Sequence, residues 1–284
     1  MMKKPFLCLF MLLCSISSLF AFTAACLNSS IADLWSLAGG SVDITVQDSI
    51  DRGFASPDAI LVDSASGRNI NTEILISSHP DLVLGSTDTA SHVRLKSFLD
   101  EKGISMILIK QDSFEDFLAV FRILTSITGR DDLFMLYGTR QEEGIDEIIA
   151  ECGEIEEKPR VLFVRAGSAF SSVRAKRADD HFAAGIIEDL GGINVADETG
   201  ILTESLSLEA MITGNIDKIL IVPQGEEDES IRYITSLFSR PGWRDVKAVR
   251  EGEVHFLSKD LFHYKPNGRW EESYRVMAEV LYGE

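Results

Sequence analysis

Two stretches of the chain share one pattern of apolar and polar positions. Residues 71–85 read NTEILISSHPDLVLG and residues 205–222 read SLSLEAMITGNIDKILIV. In each stretch apolar residues first recur at helical spacing, a short turn follows, and a continuous apolar run then predicts a buried strand. Because a unit that recurs within one chain is typical of a repeated architecture, the pattern predicts two similar lobes.

The rest of the chain alternates between apolar strands and amphipathic helices. Strands are predicted at 42–46, 59–62, 104–109, 160–164, 193–196 and 254–257, and helices at 31–37, 89–100, 181–190, 230–238 and 270–281. This alternation indicates parallel sheets whose crossover connections are helical. We therefore predict an α/β fold with two lobes, each a parallel β-sheet flanked by helices, and loops at 165–180 and 198–204.

Residues 113–152 carry no strand signal. Phe117 and Phe121 belong to a stripe of phenylalanines at helical spacing, and Ser113 with Asp116 has the pattern of an N-cap. Core packing explains such a stripe more simply than a cofactor-binding box does. The predicted organisation is a signal segment at 1–25, an N-terminal α/β lobe at 26–112, a helical linker at 113–158 and a C-terminal α/β lobe at 159–284.

Each repeated stretch places an acid at the same position. Glu73 lies eight residues before Asp81, and Glu209 lies eight residues before Asp217. Both glutamates fall in the first turn of a predicted helix, where a negative side chain meets the positive end of the helix dipole. Taken singly, each would be a helix-terminal acid without a partner.

The order Asn-x-Glu-Ile and then Pro-Asp-Leu-Val-Leu at 71–84 resembles a mark of the periplasmic binding proteins that serve ABC importers of iron–siderophores, haem and cobalamin. Residues 241–254 and the run LFHYKPNGRW at 261–270 resemble later segments of the same family. The resemblance implies a long rigid helix between the lobes, a ligand held between them with little closure, and no catalysed reaction. It also implies that Glu73 and Glu209 dock the lobes on arginines of the ABC permease.

Composition and charge limit the classes of partner that the chain can bind. A chain of 284 residues with 45% hydrophobic residues can form a large core. Its net charge of −18 provides no basic footprint for the phosphates of nucleic acid or for anionic lipid. The implied partners are an ABC permease and a small metal chelate, with membrane contact only through the permease or a lipid anchor. We expect a monomer without a cofactor of its own.

Residues 1–25 have the pattern of an export signal, since two lysines precede an uncharged run that ends in small residues. The chain is therefore expected in the periplasm or at the cell surface. Cys26 follows Thr-Ala-Ala and resembles the lipidated cysteine of a bacterial lipoprotein box. Lipidation there would destroy the first strand of the family, at 22–27. Cleavage near Ala21, a member without that strand, and an uncleaved anchor are the alternatives.

Four basic residues cluster between positions 165 and 177 of this acidic chain. The cluster begins at the carboxyl end of a predicted strand, where α/β folds bind their ligands. Arginine offers paired donors to carboxylates, catecholate oxygens or haem propionates. The predicted ligand contacts of this cluster are Arg165, Arg174, Lys176 and Arg177. Arg165 is foremost because it is nearest the strand end; the alternative is a solvated loop balanced by Asp179 and Asp180.

Further predicted ligand contacts are polar side chains that follow strands or lie near the lobe mouths. They are Ser30, Ser86, Asp88, His92, His181 and Tyr264. Helix capping is the plainer role for the residues of the first lobe. An axial bond from His92, His181 or His263 to haem iron or cobalt is an alternative role, as is ordinary aromatic packing for Tyr264.

The expected ligand is a ferric siderophore or haem, and cobalamin is the alternative within the same family. An exported α/β enzyme would need a nucleophile–base pair, but the sequence has no G-x-S-x-G, no phosphate-cradling glycine loop and no H-E-x-x-H. A receptor for free zinc or manganese would need converging histidines. None of the five histidines has H-x-H or H-x-x-x-H spacing.

Overall fold

The first lobe is one parallel sheet with helices packed on it. The structure is a computed structural model that describes residues 22–63 and 69–283. The strands of this lobe are β1 (Ala24–Cys26), β2 (Ile44–Thr45), β3 (Ile60–Leu61), β4 (Leu82–Ser86) and β5 (Met106–Ile109). Its helices are α1 (Ser29–Leu37), α2 (Gln47–Asp51), α3 (Thr72–Ser77) and α4 (Ala90–Glu101). All strands pair in parallel in the order β3-β2-β1-β4-β5.

β1 lies at the centre of this sheet, although the sequence left the strand in doubt. Ala25 pairs with Ile44 of β2, and Cys26 pairs with Leu84 of β4. The side chain of Cys26 is fully buried, and burial raises the pKa of its thiol. Cys26 is therefore an interior strand residue in this fold. The predicted signal segment at 1–25 lies, as far as residue 21, outside the described residues.

The chain passes from the first lobe to the second through helices. α5 (Phe114–Thr128) ends at Gly129, whose φ of 70° gives a left-handed C-cap. α6 (Asp131–Phe134), a π-helical turn (Met135–Thr139) and α7 (Arg140–Gly153) then follow without interruption. The linker is thus one long helical stretch, preceded by a separate helix.

α5 buries its phenylalanine stripe. The Ser113 hydroxyl accepts the N–H of Asp116 at 3.2 Å, which confirms the predicted cap. The ring of Phe117 stacks on those of Phe114 and Phe121, with centroid distances of 5.8 and 5.1 Å. The stripe is core, as the spacing predicted.

The second lobe repeats the layered plan with one antiparallel exception. Its strands are β6 (Arg160–Ala166), β7 (Val173–Ala175), β8 (Ile193–Asn194), β9 (Lys218–Pro223) and β10 (Val254–Phe256). Its helices are α8 (Phe182–Asp189), α9 (Val195–Glu198), α10 (Ile201–Glu204), α11 (Leu208–Thr213), α12 (Glu227–Phe238), α13 (Lys247–Glu251), α14 (Lys259–Phe262) and α15 (Trp270–Tyr282). The order is β10-β9-β6-β7, with β8 also paired to β6, and only β6 and β7 are antiparallel.

Two stretches predicted as loops contain regular structure. Residues 165–180 include β7, which sets Arg174 opposite Arg165 of β6. Residues 198–204 include α10, which buries Leu202. The loop predictions were wrong there because elements of three or four residues are too short to show a period.

One apolar core is shared by both lobes. It connects Cys26 and Leu84 of the first sheet to Phe163 and Val222 of the second through α5, α7, α8 and α15. Trp270 of α15 lies fully buried within it. Because close-packed side chains resist displacement, this common core favours small movements between the lobes.

Candidate functional site

The two repeated units fold alike. α3 and α11 each have six residues, and the glutamate is the second residue of both helices. Glu73 and Glu209 are exposed. Each helix is followed by a turn with one left-handed residue, His79 at φ 48° and Asn215 at φ 45°. Each lobe therefore presents one exposed glutamate at the same position of a similar helix–turn unit.

An aspartate ties each unit to the first strand of its lobe. The Asp81 carboxylate accepts the N–H of Thr23 at 2.8 Å, and the Asp217 carboxylate accepts the N–H of Arg160 at 2.7 Å. Asp217 also pairs with Lys247. Burial alone would raise the pKa of Asp217, but the hydrogen bonds from Lys247 and Arg160, with their charges, hold it below its usual value.

The cleft lies where the carboxyl ends of strands from the two lobes come together, the usual place for ligands in α/β folds. Two adjoining cavities of about 180 and about 420 Å³ share Asp88, His263 and Lys265. The loops after β1, β4 and β5 line the smaller cavity. The end of β6 and the start of α8 line the larger one.

Arg165 brings positive charge to this cleft. It is half-buried at the carboxyl end of β6, and burial lowers the pKa of its guanidinium. Its Nη2 donates to Nδ1 of His263 at 3.2 Å, whereas its buried Nε has no hydrogen-bond partner among the described residues. Because burial of a charged group is costly, an anionic ligand in the cavity that Arg165 lines would stabilise its guanidinium.

Two other basic residues of the cluster are placed differently. Arg174 faces the same side of the sheet as Arg165, since the two are cross-strand partners. Arg177 instead forms ion pairs with Asp179 and Asp197 and lines another cavity beside α8, which adjoins the larger one. The structure thus brings Arg165 and Arg174 together and engages Arg177 in ion pairs.

His181 lies in the cleft as the N-cap of α8. Its ring is between those of Phe163 and Phe182, with centroid distances of 5.0 and 4.9 Å. Its Nδ1 accepts the N–H of Ala183 at 3.3 Å. Burial holds the pKa of His181 well below its usual value, and nearby cations that include Lys176 add to the effect.

The predicted contacts of the first lobe separate into two groups. Ser30, Ser86 and Asp88 line the cleft. His92 instead lines a neighbouring cavity of about 350 Å³ within the first lobe, and burial lowers its pKa to about 4. Its Nδ1 accepts the N–H of Ser86 at 3.1 Å, so it shapes the loop after β4.

Tyr264 lines the cleft beside His263, and an arginine that the sequence did not single out covers it. The guanidinium of Arg52 stacks on the Tyr264 ring at 3.7 Å from the centroid. Arg52 Nη1 also donates to Ser29 Oγ at 2.9 Å. A lone arginine in a turn region carries no pattern that would reveal this contact.

In the part of the chain that the structure describes, no group of three or more His, Cys, Asp or Glu side chains could hold a metal ion. Cys26 and Cys152 are both free and buried.

Comparison with known proteins places this fold in a family. The family model described as periplasmic binding protein matches residues 25–261, which is most of the chain. The chain belongs to the periplasmic binding protein family. A comparison with curated proteins finds no match.

Solved structures share the fold of this binding protein at low sequence identity. An ABC transporter substrate-binding protein from Listeria monocytogenes EGD-e is 17% identical, with a TM-score of 0.75 over 92% of this chain and 99% of that chain. A periplasmic haem-binding protein from Roseiflexus sp. RS-1 is 19% identical, with a TM-score of 0.72 over 92% and 98%. The periplasmic vitamin B12 binding protein of Vibrio cholerae is 12% identical, with a TM-score of 0.73 over 92% and 96%.

Family membership gives the class of function. The chain is a substrate-binding protein of an ABC importer and not an enzyme. It acts outside the cytoplasm, where it binds a small ligand and docks on the permease. Across residues 22–63 and 69–283, none of the helices has the length and apolar character needed to cross a membrane.

The segment after α14 lines the cleft of this binding protein and includes two residues, Lys265 and Asn267, that the sequence did not single out. Lys265 Nζ lies 3.3 Å from Asp112 Oδ1. Asn267 is fully buried at φ 49°, donates to the Ser30 carbonyl at 2.9 Å and accepts from Gln111 at 2.6 Å. The segment therefore fastens the second lobe to the first. The Asn-Gly pair in LFHYKPNGRW was the available signal, because asparagine tolerates left-handed backbone.

Proposed function

We propose that this binding protein captures a chelated iron compound, a ferric siderophore or haem, between its lobes and delivers it to the permease. The observation that carries the proposal is the half-buried guanidinium of Arg165, which lines the larger cavity of the cleft and faces it without a carboxylate partner among the described residues. A cationic donor suits catecholate or hydroxamate oxygens and haem propionates.

The pairing of β6 with β7 adds a requirement for negative charge. Arg174 stands directly opposite Arg165, and like charges in that position destabilise a sheet. An anionic ligand on this face would reduce the repulsion. Cobalamin, the alternative ligand, offers mainly neutral amide oxygens, so the arrangement favours a chelate with a net negative charge, such as a ferric tris-catecholate.

The acids around the cleft leave Arg165 available. Asp88 and Asp112 lie 3.7 and 3.3 Å from Lys265 Nζ, and Asp112 also lies 3.4 Å from Lys110 Nζ. Asp179 is paired with Arg177. Asp180, which also lines the larger cavity, opposes an anion, so the attraction of the cleft for an anion comes from Arg165 with its neighbour Arg174.

Docking on the permease is the second part of the proposal. Glu73 and Glu209 occupy equivalent, exposed positions at the starts of α3 and α11. We assign them to arginines of the permease, one for each lobe, because paired charges of opposite sign steer and orient an encounter.

For export we propose cleavage near Ala21 rather than lipidation of Cys26. A chain that begins at Cys26 would lack Ala24 and Ala25, which pair with β4 and β2 at the centre of the first sheet. Intact-mass measurement of the exported protein tests this. A mass that matches a start at Cys26 plus a lipid would contradict it.

A titration of the purified protein tests the ligand class. Fluorescence of the three tryptophans is recorded with a ferric tris-catecholate, a ferric tris-hydroxamate, haem and cyanocobalamin, with free ferric and zinc salts as controls. We expect the tightest binding from an iron chelate, in the submicromolar range. Tightest binding by cyanocobalamin or by free zinc would contradict the proposal.

Variants locate the binding. Arg165→Gln should weaken binding of the chelate about tenfold or more, because hydrogen bonds to charged groups are worth about 1.5–3 kcal/mol. Arg250, which is exposed and paired with Glu251, supplies the matched control Arg250→Gln. Equal losses in the two variants would mean that general charge, and not the cleft, attracts the ligand.

A further inference from the structure

Three histidines near the lobe junction use the same ring nitrogen as an acceptor. Nδ1 of His263 lies 3.2 Å from Nη2 of Arg165, and arginine can only donate. Nδ1 of His181 accepts the N–H of Ala183, and Nδ1 of His92 accepts a backbone N–H from the loop after β4. In each ring, Nδ1 is therefore the atom without the proton.

These rings are neutral near pH 7. Burial, with the charge of Arg165 as the next cause, lowers the pKa of His263 to about 4, and burial holds that of His181 well below its usual value. A neutral imidazole whose Nδ1 accepts a hydrogen bond carries its proton on Nε2. Each of the two rings therefore has a donor at Nε2 and no lone pair there.

Two of the rings share a cavity with Arg165. His181 and His263 both line the cavity of about 420 Å³. The buried side-chain atoms without a hydrogen-bond partner, among the described residues, are Arg165 Nε and the indole nitrogen of Trp270. Among the described residues the hydrogen bonds of both rings are made by Nδ1, and neither Nε2 is a sealed unpaired atom, so each Nε2 is accessible in the cavity.

Acids also face this cavity, and most of them are engaged. Asp88 and Asp112 hold Lys265, and Asp179 holds Arg177. Asp180 is exposed at the rim. The side chains that remain free to meet a ligand inside the cavity are thus mainly donors.

We propose that His181 and His263 present Nε2–H donors, together with Arg165, to the oxygens of a coordinatively saturated ferric chelate, and that neither imidazole binds the metal. The proposal rests on the proposed function and selects a siderophore-type chelate over haem. A bond from Nε2 to a metal would move the ring proton to Nδ1. That shift would break the hydrogen bond from the Arg165 guanidinium or the one from the Ala183 N–H.

Nitrogen NMR of the ligand-free protein tests the protonation pattern directly. With ¹⁵N-labelled histidine, the chemical shifts of the ring nitrogens distinguish the two neutral forms for each of the five histidines. We expect the Nε2–H form for His181 and His263 near neutral pH. The Nδ1–H form at either residue would overturn the inference, whatever the ligand is.

Affinity measurements test the donor role. His181→Asn keeps an acceptor at the N-cap, and His263→Asn keeps an acceptor toward Arg165, but the shorter amide places no donor at the position of Nε2. Each should weaken a ferric tris-catecholate or tris-hydroxamate about tenfold. His255→Asn is the control, since His255 lies in β10 against Glu253 at 3.0 Å. Losses no larger than in the control would overturn the donor role.

Haem provides the opposing arm. A haem complex could show the visible spectrum of iron ligated by imidazole or phenolate. If His181→Asn, His263→Asn or Tyr264→Phe abolished that spectrum, the inference would be overturned and the importer function would stand. If neither chelate binds the wild-type protein, the proposed function fails and the donor role fails with it. The NMR result then still distinguishes that failure from a wrong assignment of the ring protons.

Discussion

The two helix–turn–strand units, α3–β4 in the first lobe and α11–β9 in the second, have the same shape but are fastened with different strength. Asp81 is exposed and accepts the N–H of Thr23. Asp217 is partly buried, accepts the N–H of Arg160 and pairs with Lys247. The two lobes therefore differ in the hydrogen bonds and ion pairs that hold the unit, but they place its glutamate at the same position.

This contrast separates features that serve stability from features that serve a partner. A difference in fastening is tolerated because each lobe needs only enough stability to fold. The exposed glutamates make no comparable contribution to packing, yet both occupy the second position of a six-residue helix. A permease that contacts both lobes would recognise the glutamates by this shared placement.

The largest expected effect comes from removing both acids. Glu73→Gln with Glu209→Gln should reduce ligand uptake by proteoliposomes that contain the cognate permease by tenfold or more, because charge pairs at an interface are worth about 1.5 kcal/mol or more each. Ligand affinity should be unchanged. Each single variant should show an intermediate uptake.

Glu101→Gln supplies the control for uptake, since this exposed acid ends α4 instead of beginning a helix. Normal uptake by the double variant, or an equal defect in the control, would show that the two units do not share a docking role.

The next largest effect concerns the aspartate that holds each unit to its lobe. Asp217→Ala should lower the free energy of unfolding by about 2 kcal/mol, since it removes hydrogen bonds that involve a charged carboxylate and a lysine. Asp81→Ala should cost about 1 kcal/mol or less, because this carboxylate is exposed. Urea denaturation of both variants measures the difference. Equal losses of unfolding free energy in the two variants would show that the two units are held with equal strength.

The contribution of Asp217 should depend on pH. Its pKa is lower in the folded protein than its usual 3.8, so the stabilisation is fully present above that value and is lost as the pH falls through the folded pKa. The stability gap between the wild type and Asp217→Asn should therefore be constant near neutral pH and narrow as the pH falls below about 4. A gap that widens on acidification would contradict the assigned sign.

The smallest effect concerns the turns. His79→Gly should stabilise the protein by up to about 1 kcal/mol, because a left-handed φ of 48° is costly for a residue with Cβ. Asn215→Gly should gain less, since asparagine tolerates φ 45° better. Thermal unfolding of the two variants makes the comparison, and a larger gain at Asn215 would contradict it.

The layered fold was largely predictable because its long elements carry strong periods. Phe117 and Phe121 revealed a buried helix, and the repeated spacing of Glu73 and Glu209 revealed two lobes. β7 escaped prediction because three residues show no period. β1 was doubtful because Cys26 lies both in an apolar strand and beside a possible cleavage site.

The cleft was only partly predictable. Arg165 stood out as a cation at a strand end, and the structure puts it there. Arg174 was predicted as a ligand contact. Its pairing with Arg165 across two strands was not predicted, because the composition of a short antiparallel strand does not determine its register. Arg52 and Asn267 act through contacts across long separations in sequence, which local patterns do not encode.

The most direct test of the account is a crystal structure of the protein with a ferric tris-catecholate. We predict an acceptor oxygen of the chelate within about 3.2 Å of a terminal nitrogen of Arg165, Nη1 or Nη2, between the two lobes. A chelate that binds elsewhere, without contact to the Arg165 guanidinium, would contradict it.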